Sequence, residues 1–378
     1  MRENPLHFLH EQANAAYLPY GPDIRIIESF GEPEAEYAAI RKSAALMDAP
    51  QRTVVELTGK DRQLFLHNLL TNDIKSLVPG RGCYAYLLNP KGRMVLDVNV
   101  LLLDNATLLE VDARLADVLC RELDHYLFSD QVQIRNGADT FGRLTLIGPD
   151  SSRIINCIAG TDVTESLTEL WRSRQLELVG TQCTIFRNDQ CGEAQYELIA
   201  PRAALSALWT GLLAAANGAT ESMEFKPGQK KLRPIGWSAY NMARIEAGTP
   251  LFDIDMTNEN LPLETAHWYP RAVHVSKGCY PGQEVVARMH VQKAAAQYLV
   301  GLKNTGEVPP VAGEPLRDGE HVVGMVTSSC MSPMLGHQAI ALGYVKKNSA
   351  EIGRVLTVYT AHGEVRTMVT KLPFWPAA

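Results

Sequence analysis

The seven cysteines of this 378-residue chain, Cys83, Cys120, Cys157, Cys183, Cys191, Cys279 and Cys330, include no CxxC pair. An odd number spread this widely fits neither a disulfide framework nor a zinc or cluster-ligand set, and it implies a reducing compartment. No run of about 18 apolar residues is present, so no membrane-spanning helix is expected. The opening residues MRENPLHFLHEQ lack an apolar signal core and an Arg/Ser-rich transit pattern, so the expected location is the cytoplasm. Neither GxGxxG nor a Walker loop occurs, which disfavours nucleotide and dinucleotide sites. None of the ten histidines has metal-ligand spacing. Positive charge is not in excess. The formal net charge of −6 argues against a dedicated nucleic-acid binder. One local basic cluster, Lys226, Lys230, Lys231 and Arg233, sits among Pro and Gly residues and reads as a solvated loop.

What is present is a soluble globular composition, 46% hydrophobic and 21% charged, at a length that suggests two or three domains. Ile40, Ala44, Ala45 and Met47 have helical spacing. From residue 53 the pattern predicts a strand (53–57), a helix (61–70), a hairpin (83–88 and 93–103, turning at Asn89-Pro90-Lys91-Gly92), a third strand (107–111) and a helix (113–127). This order is α+β rather than a βαβ series. The middle third reads as a helix near Ile154, strands at 182–187 and 194–200, a helix at 203–216, a loop from Pro227 to Pro234, and a helix ending before Gly248 and Pro250. After Met289, short strand-like runs at 298–302, 322–328, 340–345 and 355–360 read as a small all-β module.

Three places carry candidate chemistry. Residues 277–284 read KGCYPGQE. Pro281-Gly282 fits the centre of a type II turn, which sets Cys279 and Tyr280 on one side and Gln283-Glu284 on the other. Lys277 nearby would favour a thiolate at Cys279. Asp97 falls inside the strand 93–103, on the same face as Asn99, and an unpaired carboxylate on a dry face is costly or shifts its pKa upward. In Cys191-Gly192-Glu193-Ala194-Gln195-Tyr196-Glu197, an extended strand points Glu193, Gln195 and Glu197 the same way. The two carboxylates then lie ~13 Å apart, too far for a shared-proton dyad. A single carboxylate could instead accept two parallel hydrogen bonds from an amidine-like ligand edge.

The order KGCYPGQE resembles the KGCYxGQE motif of the YgfZ family, folate-binding proteins that support iron–sulfur enzymes. These are relatives of the glycine cleavage T-protein, a tetrahydrofolate-dependent aminomethyltransferase. LLTNDI (69–74), IEAGTPLFDIDM (245–256), LPLE (261–264), TSSCMSP (327–333) and IALGYV (340–345) each resemble T-protein segments. The resemblance implies an α+β, three-domain ring with folate in the central opening. Residues 1–50 plus 137–285 would form a discontinuous folate-binding domain, 51–136 an inserted α+β domain, and 286–378 a C-terminal β-barrel. GRMVLDV is similar to the T-protein segment ending in an aspartate pair, which assigns Asp97 as the functional acid, here without its neighbour. The 191–197 segment resembles the GEDGFE motif, whose glutamate binds the pterin; either Glu193 or Glu197 matches, and Glu197 lies deeper. Tyr84 matches a T-protein tyrosine. Tyr240 stands where that family has an arginine, so a folate tail would need another cation, with Arg288, Lys226 and Lys231 as candidates. Arg244 reads as a complement to its helix dipole.

The implied function is tetrahydrofolate binding in support of iron–sulfur protein assembly or repair, with Cys279 as the working thiol and iron–sulfur client proteins as partners. The alternative is a folate-dependent aminomethyltransferase or demethylase, with Asp97 at a folate nitrogen and a lipoyl carrier protein as partner. An adaptor without ligand is a third reading.

Overall fold

A computed structural model describes residues 4–218, 231–292, 295–306, 308–360 and 363–375. Three large sheets organise these residues, beside a two-stranded one of Ala16–Pro19 and Arg25–Ser29. A six-stranded sheet runs in the order Ser173–Leu178, Thr181–Arg187, Gln195–Pro201, Phe141–Ile147, Ala44–Asp48 and Leu232–Ile235. Only its last pair is parallel. An antiparallel five-stranded sheet has the order Arg81–Leu88, Met94–Leu102, Thr107–Asp112, Arg52–Thr58 and Gln133–Asn136. Its strands fall between the first two segments of the six-stranded sheet in sequence. Six further strands between Gln297 and Thr370 close into a barrel, as the short β runs after Met289 suggest.

Two local expectations fail. The helical spacing predicted through Met47 breaks at Ser43, and Ala44–Asp48 is a strand buried at every position. A short apolar run covered on both faces carries no periodicity that separates helix from strand. The expected loop at 227–234 ends early. Leu232–Ile235 pairs with Ala44–Met47, and Lys231 is buried; Lys226 and Lys230 lie outside the described residues.

The helix Trp237–Glu246 joins the layers. Arg244 near its end is 1% exposed. Its guanidinium is ion-paired with Asp255 and donates to Ser328 Oγ of the barrel at 2.7 Å and to the Thr249 carbonyl at 3.1 Å. Arg244 is therefore an interdomain tie rather than a dipole complement. Among the described residues no helix is long and apolar enough to cross a membrane.

Candidate functional site

Asp97 sits mid-strand in Met94–Leu102, the second strand of the five-stranded sheet, opposite Tyr86 and diagonal to Tyr84, within reach of a long side chain on the same face. The Tyr84 hydroxyl donates to Asp97 Oδ2 at 2.8 Å. Tyr84 is itself fixed by a stacked Trp171 at 6.4 Å and by edge contacts with Trp268 and Tyr86. Asp97 Oδ1 is buried without a hydrogen-bond partner. Burial raises the Asp97 pKa above the usual carboxylate value, against the opposing pull of Arg52 and the Tyr84 hydroxyl. Asn99, on the same face as expected, donates to Glu110 at 2.7 Å and accepts from Trp171 Nε1 at 2.7 Å.

Beside Asp97 runs a buried ionic chain, Arg52–Glu110–Arg143–Glu197. Arg52 meets Glu110 with two parallel bonds, Nε to Oε1 at 2.7 Å and Nη2 to Oε2 at 2.6 Å. Arg143 pairs with Glu110 through Nη1 and with Glu197 through Nη2, and its Nε donates to Glu197 Oε2 at 2.8 Å. Glu197 also accepts from Thr145 Oγ1 at 2.6 Å and from Gln195 Nε2 at 2.7 Å. Burial alone would raise Glu110, but Arg143 and Arg52 override it and hold that carboxyl at about 2. Two guanidinium and two carboxylate charges balance, which is what lets four such groups leave water together.

A recess of about 30 Å³ opens between the two large sheets. Its walls include Asp97, Gln51, Arg52, Arg143, Trp237 and Tyr240. Gln51 is 5% exposed, and its Oε1 is a second buried acceptor without a partner. Tyr240 is buried and donates to Gln190 Oε1 at 2.6 Å. Arg52 and Arg143 also border a larger cavity of about 310 Å³, walled by Asp48, Phe141 and Leu205 among others.

The structure thus brings Asp97 and Tyr240 together at the recess, with Tyr84 behind Asp97 as its positioning partner. Glu193 is elsewhere. The strand begins at Gln195, after Gly192 at φ +76°, so Glu193 does not share the strand face predicted for it. It pairs with Arg41 at 3.3 Å, and burial raises its pKa against that arginine. Arg288 is exposed on the helix Gln283–Gln292.

The 277–284 segment has the turn expected of it. The Gln283 N–H donates to the Tyr280 carbonyl at 3.2 Å, and Gly282 takes φ +78°. A Cβ on Gly282 would fall 2.6 Å from the Asn89 carbonyl and 2.7 Å from Gly92 Cα. Two turns, one on each segment, therefore pack backbone to backbone. Lys277 is 7% exposed and donates to the His67 and Leu70 carbonyls at the end of the helix Arg62–Leu69. Burial brings its pKa down to about 8. Its ammonium also lies 4.8 Å from the centre of the buried Tyr280 ring. Lys277 anchors the loop, and Cys279 is left exposed.

Sequence reasoning overlooked Gln51, Arg52 and Arg143. Arg143 could have been found by the signal that found Asp97: it is the one charge inside the largely apolar strand Phe141–Ile147. Gln51 and Arg52 follow Pro50 at a strand entrance, where polar residues are ordinary, and carry no such signal.

The GCVT N-terminal domain family matches residues 6–268, and the glycine cleavage T-protein C-terminal barrel domain family matches residues 298–376. The chain is 28% identical to an aminomethyltransferase of Desulforamulus reducens, covering 99% of this chain and 98% of that protein. It is 26% identical to an aminomethyltransferase of Bacillus subtilis, covering 99% of each. The crystal structure of glycine cleavage system aminomethyltransferase T from Bartonella henselae superposes with a TM-score of 0.86 at 24% identity, over 99% of this chain and 98% of that one. By its fold, its barrel and these family matches, the chain belongs to the glycine cleavage T-protein family.

Proposed function

We propose that this protein binds a tetrahydrofolate species at the Asp97 recess and supports iron–sulfur proteins, with Cys279 as an exposed working thiol. The observation that carries the reading is the pair of buried, unpartnered acceptors, Asp97 Oδ1 and Gln51 Oε1, on the wall of one recess. Buried polar atoms are nearly always satisfied, so two orphaned acceptors on residues lining one recess suit a ligand rich in N–H donors. The acceptor set fits a reduced pterin; the space, at about 30 Å³, does not admit the ring until a wall moves. When bound, tetrahydrofolate would supply ring nitrogens able to carry a one-carbon unit.

The chain's own part is to orient and to accept. Tyr84 fixes Asp97 through Oδ2 and leaves Oδ1 to the ligand. Burial raises the Asp97 pKa, which makes its carboxylate a stronger base toward a ligand N–H than an exposed one. Cys279 is turned to solvent on a loop pinned by Lys277 and Gly282, where a macromolecular partner can reach it.

Titration with tetrahydrofolate, followed by Trp fluorescence, tests the binding; Trp237 lines the recess. Saturable binding is expected, weakened roughly ten- to a hundredfold by Asp97→Asn, the range of one hydrogen bond to a charged group. No saturation at millimolar ligand sinks the proposal. Cys279→Ser, placed in a strain lacking the gene, should fail to restore iron–sulfur enzyme activity while leaving folate affinity intact.

The full-length likeness to proteins named aminomethyltransferase supports a second reading, transfer of an aminomethyl group from a lipoyl carrier protein to tetrahydrofolate. Robust release of methylenetetrahydrofolate from an aminomethyl-lipoyl carrier would favour it.

A further inference from the structure

Resting on the folate reading, we propose that Arg143 is a displaceable plug that occupies Glu197 in place of the ligand, so that reduced folate and Arg143 compete for one carboxylate. Glu197 is fully buried and already takes hydrogen bonds on both oxygens, from Gln195 on Oε1 and from Arg143 and Thr145 on Oε2. A carboxylate so engaged has little capacity left for the two parallel bonds of an incoming ligand. Arg143 is also a chemical likeness of that ligand. A guanidinium presents the same planar N–C–N donor edge that an amino-pterin presents, and a carboxylate recognises both in the same fork.

The recess on the Asp97 side holds about 30 Å³, whereas a second cavity that Arg143 also borders holds about 310 Å³. A rotation about the Arg143 side chain toward that cavity would enlarge the recess and free Glu197 without moving the strand. Glu110, the other partner of Arg143, tethers the plug in place.

The test removes plug and tether together, because the pair carries one charge of each sign. In Arg143→Met/Glu110→Gln one charge of each sign remains, Arg52 and Glu197, and Thr145 and Gln195 still donate to the Glu197 carboxylate. Tetrahydrofolate affinity, read by calorimetric titration, should rise at least tenfold over the natural protein, and adding Glu197→Gln should abolish the gain. Arg143→Lys keeps the charge and loosens the fork, and should give a smaller gain of about threefold. Circular dichroism verifies folding, and Arg143→Lys decides the matter if the double variant does not fold. Unchanged or weaker binding in the folded variants, with the natural protein binding, overturns the plug and leaves the folate reading standing. Failure of the natural protein and of every folded variant to bind overturns both.

Discussion

Asp97 and Glu197 are both carboxylates set in buried strands, one in each of the two large sheets, and they differ in how their oxygens are used. Glu197 is saturated by Arg143, Thr145 and Gln195. Asp97 has one tyrosine on Oδ2 and nothing on Oδ1. Glu197 is part of a charge-balanced scaffold whose removal one end at a time exposes an unpaired ion. Asp97 is kept partly unsatisfied by its neighbours, and an unsatisfied buried acceptor is a cost that persists where something outside the fold relieves it. The same carboxylate group at the same depth is closed by its own neighbours in one sheet and left open on one oxygen in the other.

The largest expected effect falls on the scaffold. Arg143→Ala leaves Glu110 and Glu197 sharing one cation, Arg52, which bonds only Glu110 directly. Breaking a buried pair from one side costs about 3–5 kcal/mol. Asp97→Asn keeps the shape and replaces a desolvated acid with a neutral amide, so it should move stability by less than about 1 kcal/mol. Denaturant unfolding of the two variants checks the difference. Equal losses would end the contrast between the paired and the open carboxylate.

Acid unfolding comes next in size and separates paired from open carboxylate by sign. Glu110 titrates at about 2 in the fold against an ordinary 4.5. The unfolded chain therefore binds its proton first. Stability from this group is complete above about pH 4.5 and is lost as pH falls toward 2, a loss of the order of 3 kcal/mol. Asp97 is raised, so the native state holds the extra proton, and its contribution falls as pH rises from 3.8 through the raised value. Glu110→Gln/Arg143→Met should flatten the acid limb of a pH–stability curve, and Asp97→Asn should flatten only the opposite slope.

How much of this was legible in the sequence follows from what each signal measures. Four of the six barrel strands, the 83–103 hairpin and the Pro281-Gly282 turn could be read because alternation and turn chemistry are local. Asp97 could be read because a charge inside an apolar strand is out of pattern. The strand Ala44–Asp48 could not, since a run buried on both faces has no periodicity, and neither could the partners of Glu197. Arg143 lies 54 residues from Glu197 and 33 from Glu110, and only the pairing of strand Phe141–Ile147 with Gln195–Pro201 brings it there. The carbonyl partners of Lys277 were hidden for the same reason. Beside Cys279 in sequence, it spends its protons on carbonyls 207 and 210 residues away.

The smallest expected effect is at Glu193, the acid that strand geometry paired with Glu197. The backbone turns at Gly192 and Glu193 precedes the strand, so its carboxylate faces Arg41 rather than the cleft. Arg41 does not depend on it, because the same guanidinium holds Glu246 at 2.6 Å and the Cys191 carbonyl at 2.7 Å. Glu193→Gln leaves those bonds in place and keeps an acceptor near Arg41. Stability should change by less than about 1 kcal/mol and tetrahydrofolate affinity by less than about twofold, within the scatter of repeated titrations. A loss as large as that of Asp97→Asn would place Glu193 in contact with the ligand. The cleft would then have to be redrawn to reach across Gly192, with Arg41 rather than Arg143 as the cation at its edge.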